Sequence, residues 1–228
     1  DLEFIPPHVV ENIISEYEIH KIMKTIYKKK FISRKQDLWR VNPFIKKVAK
    51  NNNILYLLKE LYNDDPLPFQ TLNFSKGTEQ PEHVDLVHFC PSEDNLELMC
   101  GVWIALEDIT ENMGPLIFYP KSHKLPYYID FDKFNNKYSN YITFIKELIK
   151  KNNLKSELGI IKKGSIIIWN SNLIHGGSNI IDIKSTRYSM VTHYFFKGSK
   201  YWWTPKISNK DKKVYRDKIK KKSQKILL

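Results

Sequence analysis

The stretch that decides the fold reads Met-Cys-Gly-Val-Trp-Ile-Ala-Leu at residues 99–106. Its β-branched and aromatic side chains, with no charged residue among them, are typical of a β-strand. Similar short runs, separated by turn residues, lie on both sides of it at residues 69–75, 83–89, 116–119, 157–161, 165–169 and 187–196. Seven or more short strands, with helices gathered at one end, predict a mainly β protein with a jelly-roll core and flanking helices.

Helical periodicity is confined to the front of the chain and to one insertion. Apolar residues recur every three or four positions over residues 8–30 and 43–62, as in amphipathic helices. Residues 131–152 are interpreted as a helical or irregular insertion between two sets of strands. We therefore expect a single domain at residues 1–205, made of a helical flank at 1–65 and a β core at 66–205, followed by a basic tail at 206–228.

Composition limits the classes of protein to which the chain can belong. Its 228 residues are 42% hydrophobic and 13% aromatic, which suffices for one sizeable core and argues against disorder. No apolar run approaches the roughly 20 residues of a membrane-spanning helix, so we expect no membrane span. Only Cys90 and Cys100 are present, which argues against a disulfide framework and favours a cytoplasmic location with reduced thiols.

The formal charge of +12 is unevenly distributed along the chain. Residues 206–228 carry +8 of this charge, so the rest of the chain is only mildly basic. Arginine, whose forked guanidinium suits phosphate recognition, occurs four times, against 33 lysines. The charge therefore favours a compositional bias over nucleic-acid binding.

A candidate metal site begins at His83-Val84-Asp85. In an extended segment, side chains two residues apart project to the same side, which would bring the imidazole and the carboxylate together. His175 follows the apolar run at 165–169 and precedes two glycines, where a strand end could return beside the first pair. Two imidazoles and one carboxylate on one face of an octahedron form a ligand set that suits non-haem Fe(II), O₂ and a co-substrate.

Arg187 is a candidate for binding that co-substrate. It follows His175 by twelve residues, lies in a strongly β segment and is one of only four arginines. Strand alternation puts Arg187 and Ser189 on one face, where a guanidinium and a hydroxyl could bind a dicarboxylate beside the metal. The alternative for His83 and Asp85 is a buried hydrogen-bonded pair, and the alternative for Arg187 is a structural ion pair.

The order of these motifs resembles the phytanoyl-CoA dioxygenase family of Fe(II)- and 2-oxoglutarate-dependent oxygenases. The likeness covers residues 69–194, more than half of the chain. In Lys121 the chain departs from the glycine that the family often has, and in Gly177 it departs from a common hydroxyl residue. The residues that carry the resemblance are His83-Val84-Asp85, Gly101-Val102-Trp103-Ile104-Ala105-Leu106-Glu107-Asp108, Asn112-Met113-Gly114-Pro115-Leu116, Pro120-Lys121-Ser122-His123, Gly164-Ser165, His175-Gly176-Gly177 and Arg187.

The resemblance implies a double-stranded β-helix that uses Fe(II), 2-oxoglutarate and O₂, with ascorbate as a stimulant. Arg187 would hold the distal carboxylate of 2-oxoglutarate. The reaction implied is hydroxylation of an aliphatic C–H of a small-molecule substrate, with release of succinate and CO₂. The residues that would bind the iron are His83, Asp85 and His175.

Three further residues are weaker candidates within the same resemblance. Trp103 would lie against the co-substrate or in the pocket wall, while Gln70 and Asn73 would contact co-substrate or substrate from opposite faces of one strand. Two alternative functions stay open on the sequence alone. One is the same chemistry on a nucleic acid, which only the basic tail supports, and the other is a barrel that binds metal or partners without turnover.

The other conspicuous side chains have structural interpretations. His88 falls on the opposite face from His83 if the segment is a regular strand, so we expect it to pack as a polar side chain, with a place in the pocket as the alternative. His193 is expected to be a core histidine. Trp202 and Trp203 are expected to pack or to cover a pocket, and both cysteines are expected to be small apolar fillers.

Overall fold

The computed structural model describes residues 7–26, 34–89, 99–125, 134 and 137–198. Within these ranges the chain forms nine strands and five α-helices. The helices are α1 (Glu16–Ile26), α2 (Pro43–Ala49), α3 (Asn52–Tyr62), α4 (Leu86–Phe89) and α5 (Tyr138–Lys151). The strands are β1 (His8–Val10), β2 (Arg34–Gln36), β3 (Pro66–Phe74), β4 (Met99–Ala105), β5 (Leu116–Phe118), β6 (Glu157–Leu158), β7 (Ile166–Asn170), β8 (His175–Gly177) and β9 (Ser189–Phe196).

The strands form two antiparallel sheets. The larger sheet has the order β1-β7-β4-β9-β3-β2, and the smaller has the order β6-β5-β8. Apolar side chains of β3, β4, β7 and β9 meet those of β5 in one buried cluster between the sheets. Two antiparallel sheets packed face to face around such a core confirm the predicted mainly β, jelly-roll architecture with flanking helices.

The sequence of strand β7 is almost entirely apolar because both of its faces are buried. Ile166 and Ile168 belong to the cluster that packs under the front helices, whereas Ile167 and Trp169 belong to the cluster between the sheets. Alternate side chains of one strand thus enter two different cores, and all four are buried. The front helices therefore cover the outer face of the larger sheet and leave its inner face to the cavity.

Local signals explain where the front helices begin. The side chain of Asn42 accepts hydrogen bonds from the backbone of Phe44 and Ile45, with Pro43 in the first turn of α2. Asn51 caps α3 in the same way, accepting from Asn53 and Ile54. The predicted helical front is thus confirmed for α1 to α3, but its first residues form β1 instead, which pairs with β7 at the edge of the larger sheet.

The prediction of a strand at residues 83–89 is wrong. Only His83 pairs with another strand, through a single antiparallel bridge to His175, and the chain then turns into α4. The backbone N–H of Leu86 donates to the carbonyl of Ser171 instead of extending a ladder. Helix α5 supports this turn, because the hydroxyl of Tyr141 accepts from the backbone N–H of Val84 at 2.8 Å.

Other expectations differ in their limits or fall outside the described ranges. The insertion predicted at 131–152 contains α5, and the strand predicted at 187–196 begins two residues later, at Ser189. Cys90, Trp202, Trp203 and the basic tail lie outside the residues that the structure describes. The division into a domain at 1–205 and a tail at 206–228 therefore stays a prediction. Among the described helices, none is long and apolar enough to cross a membrane.

Candidate active site

The site is built on a backbone contact between two distant parts of the chain. The N–H of His83 donates to the carbonyl of His175 at 2.8 Å, and the N–H of His175 donates back at 2.9 Å. Such a doubly bonded antiparallel pair holds two residues side by side. The two imidazole rings consequently lie with their centroids 4.5 Å apart, and both are buried.

Backbone carbonyls determine which nitrogen of each ring carries the proton. Nδ1 of His83 lies 2.8 Å from the carbonyl of Pro81, and Nδ1 of His175 lies 2.9 Å from the carbonyl of Leu173. A carbonyl can only accept, so each Nδ1 is a donor and each Nε2 keeps its lone pair. The amide of Gln80 lies 3.1 Å from Nε2 of His83, where it donates to that lone pair.

Asp85 lies between the two imidazoles and is oriented by an indole. Its Oδ1 is 3.9 Å from Nε2 of His83 and 3.7 Å from Nε2 of His175. Its Oδ2 accepts a 2.8 Å hydrogen bond from Nε1 of Trp169 and lies 3.4 Å from Nε2 of His193. One carboxylate oxygen thus faces the histidine pair, while the other is held by the sheet.

The electrostatics of the site favour metal-binding protonation states. Burial, together with the neighbouring imidazole of His175, lowers the pKa of His83 to about 3. Burial alone would raise the pKa of Asp85, but the imidazoles of His175, His193 and His83 hold it below its ordinary value. At pH 7 His83 is therefore a neutral ligand and Asp85 an anionic one, as metal coordination requires.

The donor set fits a divalent transition metal. One ligand atom from each of His83, Asp85 and His175 lies within 4.8 Å of the other two, and all three residues are buried. Two imidazole nitrogens and one carboxylate oxygen match the facial triad of non-haem Fe(II) oxygenases, which leaves further coordination positions open. The three residues singled out from the sequence are thus brought together by the fold.

Arg187 lies in the same cavity, with its guanidinium between two aromatic rings. Its Cζ is 5.3 Å from the centroid of Phe74 and 5.5 Å from that of Trp103. Nη1 donates to Oγ of Ser189 at 3.3 Å and Nη2 donates to the carbonyl of Lys76 at 3.2 Å. This buried, oriented cation could bind a carboxylate in a bidentate manner.

The structure separates the three weaker candidates of the sequence analysis. Gln70 and Trp103 line the cavity with the metal-binding triad and Arg187. Asn73 is fully buried but lies on the other face of β3 and is absent from the described cavity wall. Ser189 is also buried and contacts the cavity only through its hydrogen bond to Arg187.

The cavity has a volume of about 420 Å³, within the range of small-molecule sites. Apolar side chains of its wall include Leu72, Phe74, Leu116 and Val191. These side chains belong to the strands of both sheets. The jelly roll therefore encloses the candidate site between its two layers.

Sequence reasoning missed the role of Trp169 and Gly101. The two residues are register partners on β7 and β4, and a Cβ at position 101 would overlap the indole of Trp169. Glycine is needed there because the indole lies across the backbone to reach Asp85. Gly101 lies in the motif that carried the family resemblance, but nothing in that pattern names its partner.

Three more cavity residues were misread or missed. His88 does not pack away from the site, because it belongs to α4, and its ring centroid lies 5.7 Å from that of His83. His193 is buried, as expected for a core histidine, yet it lines the cavity beside Asp85. Arg34 also lines the cavity, on strand β2, and no sequence motif pointed to it.

Comparison with protein families identifies the class. The family model described as phytanoyl-CoA dioxygenase (PhyH) matches residues 23–181, more than half of the chain. The chain therefore belongs to the phytanoyl-CoA dioxygenase family, as the sequence motifs indicated. No curated protein matches the sequence.

Solved structures share the fold at low sequence identity. The α-ketoglutarate-dependent carbocyclase SnoK from nogalamycin biosynthesis superposes with a TM-score of 0.69, at 12% identity over 93% of this chain and 86% of that one. HygX from Streptomyces hygroscopicus, with nickel and 2-oxoglutarate bound, gives 0.64, at 12% identity over 86% and 85%. EctD from S. alaskensis, with bound Fe, gives 0.63, at 17% identity over 84% and 73%.

Proposed function

We propose that the protein is an Fe(II)- and 2-oxoglutarate-dependent dioxygenase that hydroxylates an aliphatic C–H of a small molecule. The observation that carries this proposal is the presence of His83, Asp85, His175 and Arg187 in one cavity of a phytanoyl-CoA dioxygenase fold. Substrate, O₂ and 2-oxoglutarate would become hydroxylated substrate, succinate and CO₂. One oxygen atom of O₂ enters each organic product, so the reaction balances without another reductant.

His83, Asp85 and His175 would hold the iron. The carbonyls of Pro81 and Leu173 keep both Nδ1 atoms protonated, so the Nε2 atoms are the ones that can bind the metal. At His83 the metal would replace the hydrogen bond from the amide of Gln80. The indole of Trp169 holds Oδ2 of Asp85 and so directs Oδ1 toward the histidines. When bound, the iron supplies the activation of O₂ and the oxidative power that no side chain provides.

Arg187 would bind the distal carboxylate of 2-oxoglutarate and orient the co-substrate toward the metal. Ser189 and the carbonyl of Lys76 hold the guanidinium in place, and the rings of Phe74 and Trp103 flank it. These contacts reduce the side-chain freedom that carboxylate binding would otherwise have to restrict. Because the guanidinium is buried, a charge-assisted pair with a carboxylate is stronger there than in water.

The test is release of succinate from 2-oxoglutarate in the presence of Fe(II), O₂ and ascorbate. Wild-type protein should release succinate, and candidate substrates should accelerate the release, whereas His175→Ala should release none above background. His20→Ala is the matched control, because His20 is an exposed histidine on α1. This control variant should retain the wild-type rate.

Two outcomes would contradict the proposal at different levels. A wild-type protein that binds metal and 2-oxoglutarate yet releases no succinate with any substrate would indicate a binding module without turnover. A product that gains no oxygen atom, such as an epimer or a newly closed ring, would retain the oxygenase chemistry but contradict hydroxylation. Succinate release distinguishes the second outcome from the first, and mass spectrometry shows whether the product has gained an oxygen atom.

A further inference from the structure

Arg34 is a second arginine on the cavity wall, and it lies on edge strand β2. Arg34 is the register partner of Phe74 and Gln36 is that of Leu72, whereas Lys35 is the partner of Asn73. Directly opposed residues of antiparallel strands share a face of the sheet. Arg34 and Gln36 therefore lie on the cavity face with Phe74 and Leu72, in agreement with their presence in the cavity wall.

The surroundings of Arg34 differ from those of the other described arginines. Arg40 pairs with Asp37 at 3.5 Å, and Arg187 donates to Ser189 and to the carbonyl of Lys76. Among the residues that the structure describes, no carboxylate lies within ion-pair distance of the Arg34 guanidinium. Arg34 is exposed at the cavity mouth, so its charge is available to a ligand that enters there.

The fixed charges of the cavity leave one positive charge in excess. The only guanidinium and carboxylate groups on the described wall belong to Arg34, Arg187 and Asp85. A ferrous ion and a 2-oxoglutarate dianion cancel each other, and the excess charge therefore remains after both have bound.

Hydrogen-bonding side chains surround the same mouth. Gln36, Gln80, Tyr138 and His88 line the cavity with Arg34. A planar guanidinium accompanied by amide and hydroxyl donors is suited to a group with several anionic oxygens.

We propose that Arg34 binds an anionic group of the substrate, a carboxylate or a phosphate monoester, and so selects small acids for the reaction. This inference rests on the proposed function, because it assigns the ligand of the open end of the same cavity. Arg187 would bind the co-substrate at the inner end and Arg34 the substrate at the mouth. Each of the two arginines would thus bind a different anion.

The experiment uses full-length protein loaded with Ni(II) and saturating 2-oxoglutarate, so that binding is measured without turnover. Matched pairs of compounds are screened by thermal shift, each carboxylic acid with its primary amide and each phosphate monoester with its parent alcohol. Dissociation constants of the compounds that bind are then measured by calorimetry. The variants are Arg34→Gln, Arg34→Lys and, as an exposed arginine outside the cavity, Arg40→Gln.

We expect that the compounds that raise the melting temperature of the protein are acids. Their neutral counterparts should bind at least 10-fold more weakly. Arg34→Gln should weaken binding of the acids by about 10- to 100-fold, as expected for a charge-assisted hydrogen bond, and Arg34→Lys should weaken it less. Arg40→Gln should bind like the wild type. The dissociation constant of 2-oxoglutarate should change less than twofold in all three variants.

Four results would overturn the proposal. They are neutral compounds that bind as tightly as their acids, a panel with no acid that binds, unchanged affinity of the acids in Arg34→Gln, and weakened 2-oxoglutarate binding in Arg34→Gln. The last result would assign Arg34 to the co-substrate instead. Failure of the wild-type protein to bind 2-oxoglutarate at all would contradict the proposed function. This failure would be seen before any compound of the panel is added.

Discussion

The inner end and the mouth of the cavity are built differently. At the inner end, His83, Asp85, His175 and Arg187 are at most 5% exposed. The two histidines donate to backbone carbonyls, Asp85 accepts from Trp169, and Arg187 donates to Ser189. At the mouth, Arg34 and Gln36 are exposed and lie on a three-residue edge strand, while Tyr138 and His88 are half-buried on helices.

This difference separates the chemistry from the choice of substrate. Side chains held by several partners keep one geometry, which a metal site and its co-substrate require. Residues on a short edge strand and on helices outside the sheets can differ among enzymes of one fold without disturbing the core. We expect substitutions at the inner end to abolish the shared chemistry and substitutions at the mouth to leave metal and co-substrate binding intact.

The largest effect is expected for Asp85→Ala. Loss of a residue that only orients a metal ligand weakens metal binding by about 10- to 100-fold. Loss of the carboxylate ligand itself should therefore weaken Fe(II) binding by more than about 100-fold. Anaerobic calorimetry measures the affinity, and circular dichroism should show that the β fold persists. Asp108→Ala, at an exposed aspartate paired with Lys162, should bind iron like the wild type. Similar iron affinities in the two variants would contradict the assignment.

The next effect is expected for Arg187→Gln. Removal of the guanidinium should raise the 2-oxoglutarate concentration needed for half-maximal turnover by about 10- to 100-fold, because a charge-assisted contact to the co-substrate is lost. Iron affinity should stay within twofold of the wild type, and Arg40→Gln should behave as the wild type. An unchanged requirement for 2-oxoglutarate would show that another residue binds the distal carboxylate.

A smaller effect is expected for Trp169→Phe, which keeps an aromatic ring but removes the indole N–H. Iron affinity should fall by about 10-fold, since Asp85 loses the donor that orients it. Trp103→Phe is the matched control, because Trp103 contacts Arg187 and should affect 2-oxoglutarate affinity instead. If both variants weaken iron binding equally, general disturbance of the core explains the result better than orientation of Asp85.

Gly101→Ala tests the same support from the opposite strand. The added methyl group should displace the indole of Trp169 and lower stability by about 1–3 kcal/mol, as overpacked core positions do. Thermal denaturation measures this loss, and iron affinity should fall with it. A stable Gly101→Ala protein with wild-type iron affinity would contradict the proposed need for glycine at this position.

The smallest effect is expected at the mouth, for His88→Gln. Burial lowers the pKa of His88 to about 4, so the imidazole is neutral at pH 7 and its replacement removes no charge. Affinities for iron and for 2-oxoglutarate should change less than twofold, as calorimetry would show. A change of 10-fold or more in either would mean that the two ends of the cavity are not separable.

Most of the fold and the candidate triad could be predicted from sequence. The apolar runs at β4 and β7 mark central strands because both faces of the larger sheet are covered, and Asn42 and Pro43 mark the start of α2. The order of the motifs identified the triad better than local geometry did. Asp85 meets the histidines from a turn, so the strand alternation used to place it was the wrong reason for a correct grouping.

The rest depends on contacts between distant segments. The indole of Trp169 reaches Asp85 only because Gly101 on the neighbouring strand has no side chain, and neither residue reveals that contact by itself. One feature of the sequence could have identified Arg34 as a candidate site residue. It is one of four arginines in a lysine-rich chain, the same rarity that drew attention to Arg187. At Lys121 the sequence departs from the glycine that the family often has, but the backbone does not. Lys121 takes the left-handed conformation (φ 65°) that favours glycine.

The most direct test of the central claim is an iron anomalous difference map from crystals grown anaerobically with Fe(II) and 2-oxoglutarate. We predict a single strong peak bonded to Nε2 of His83, Nε2 of His175 and a carboxylate oxygen of Asp85, with 2-oxoglutarate extending from it to Arg187. A peak bonded to other residues, or these three side chains ordered without a shared ion, would contradict the account.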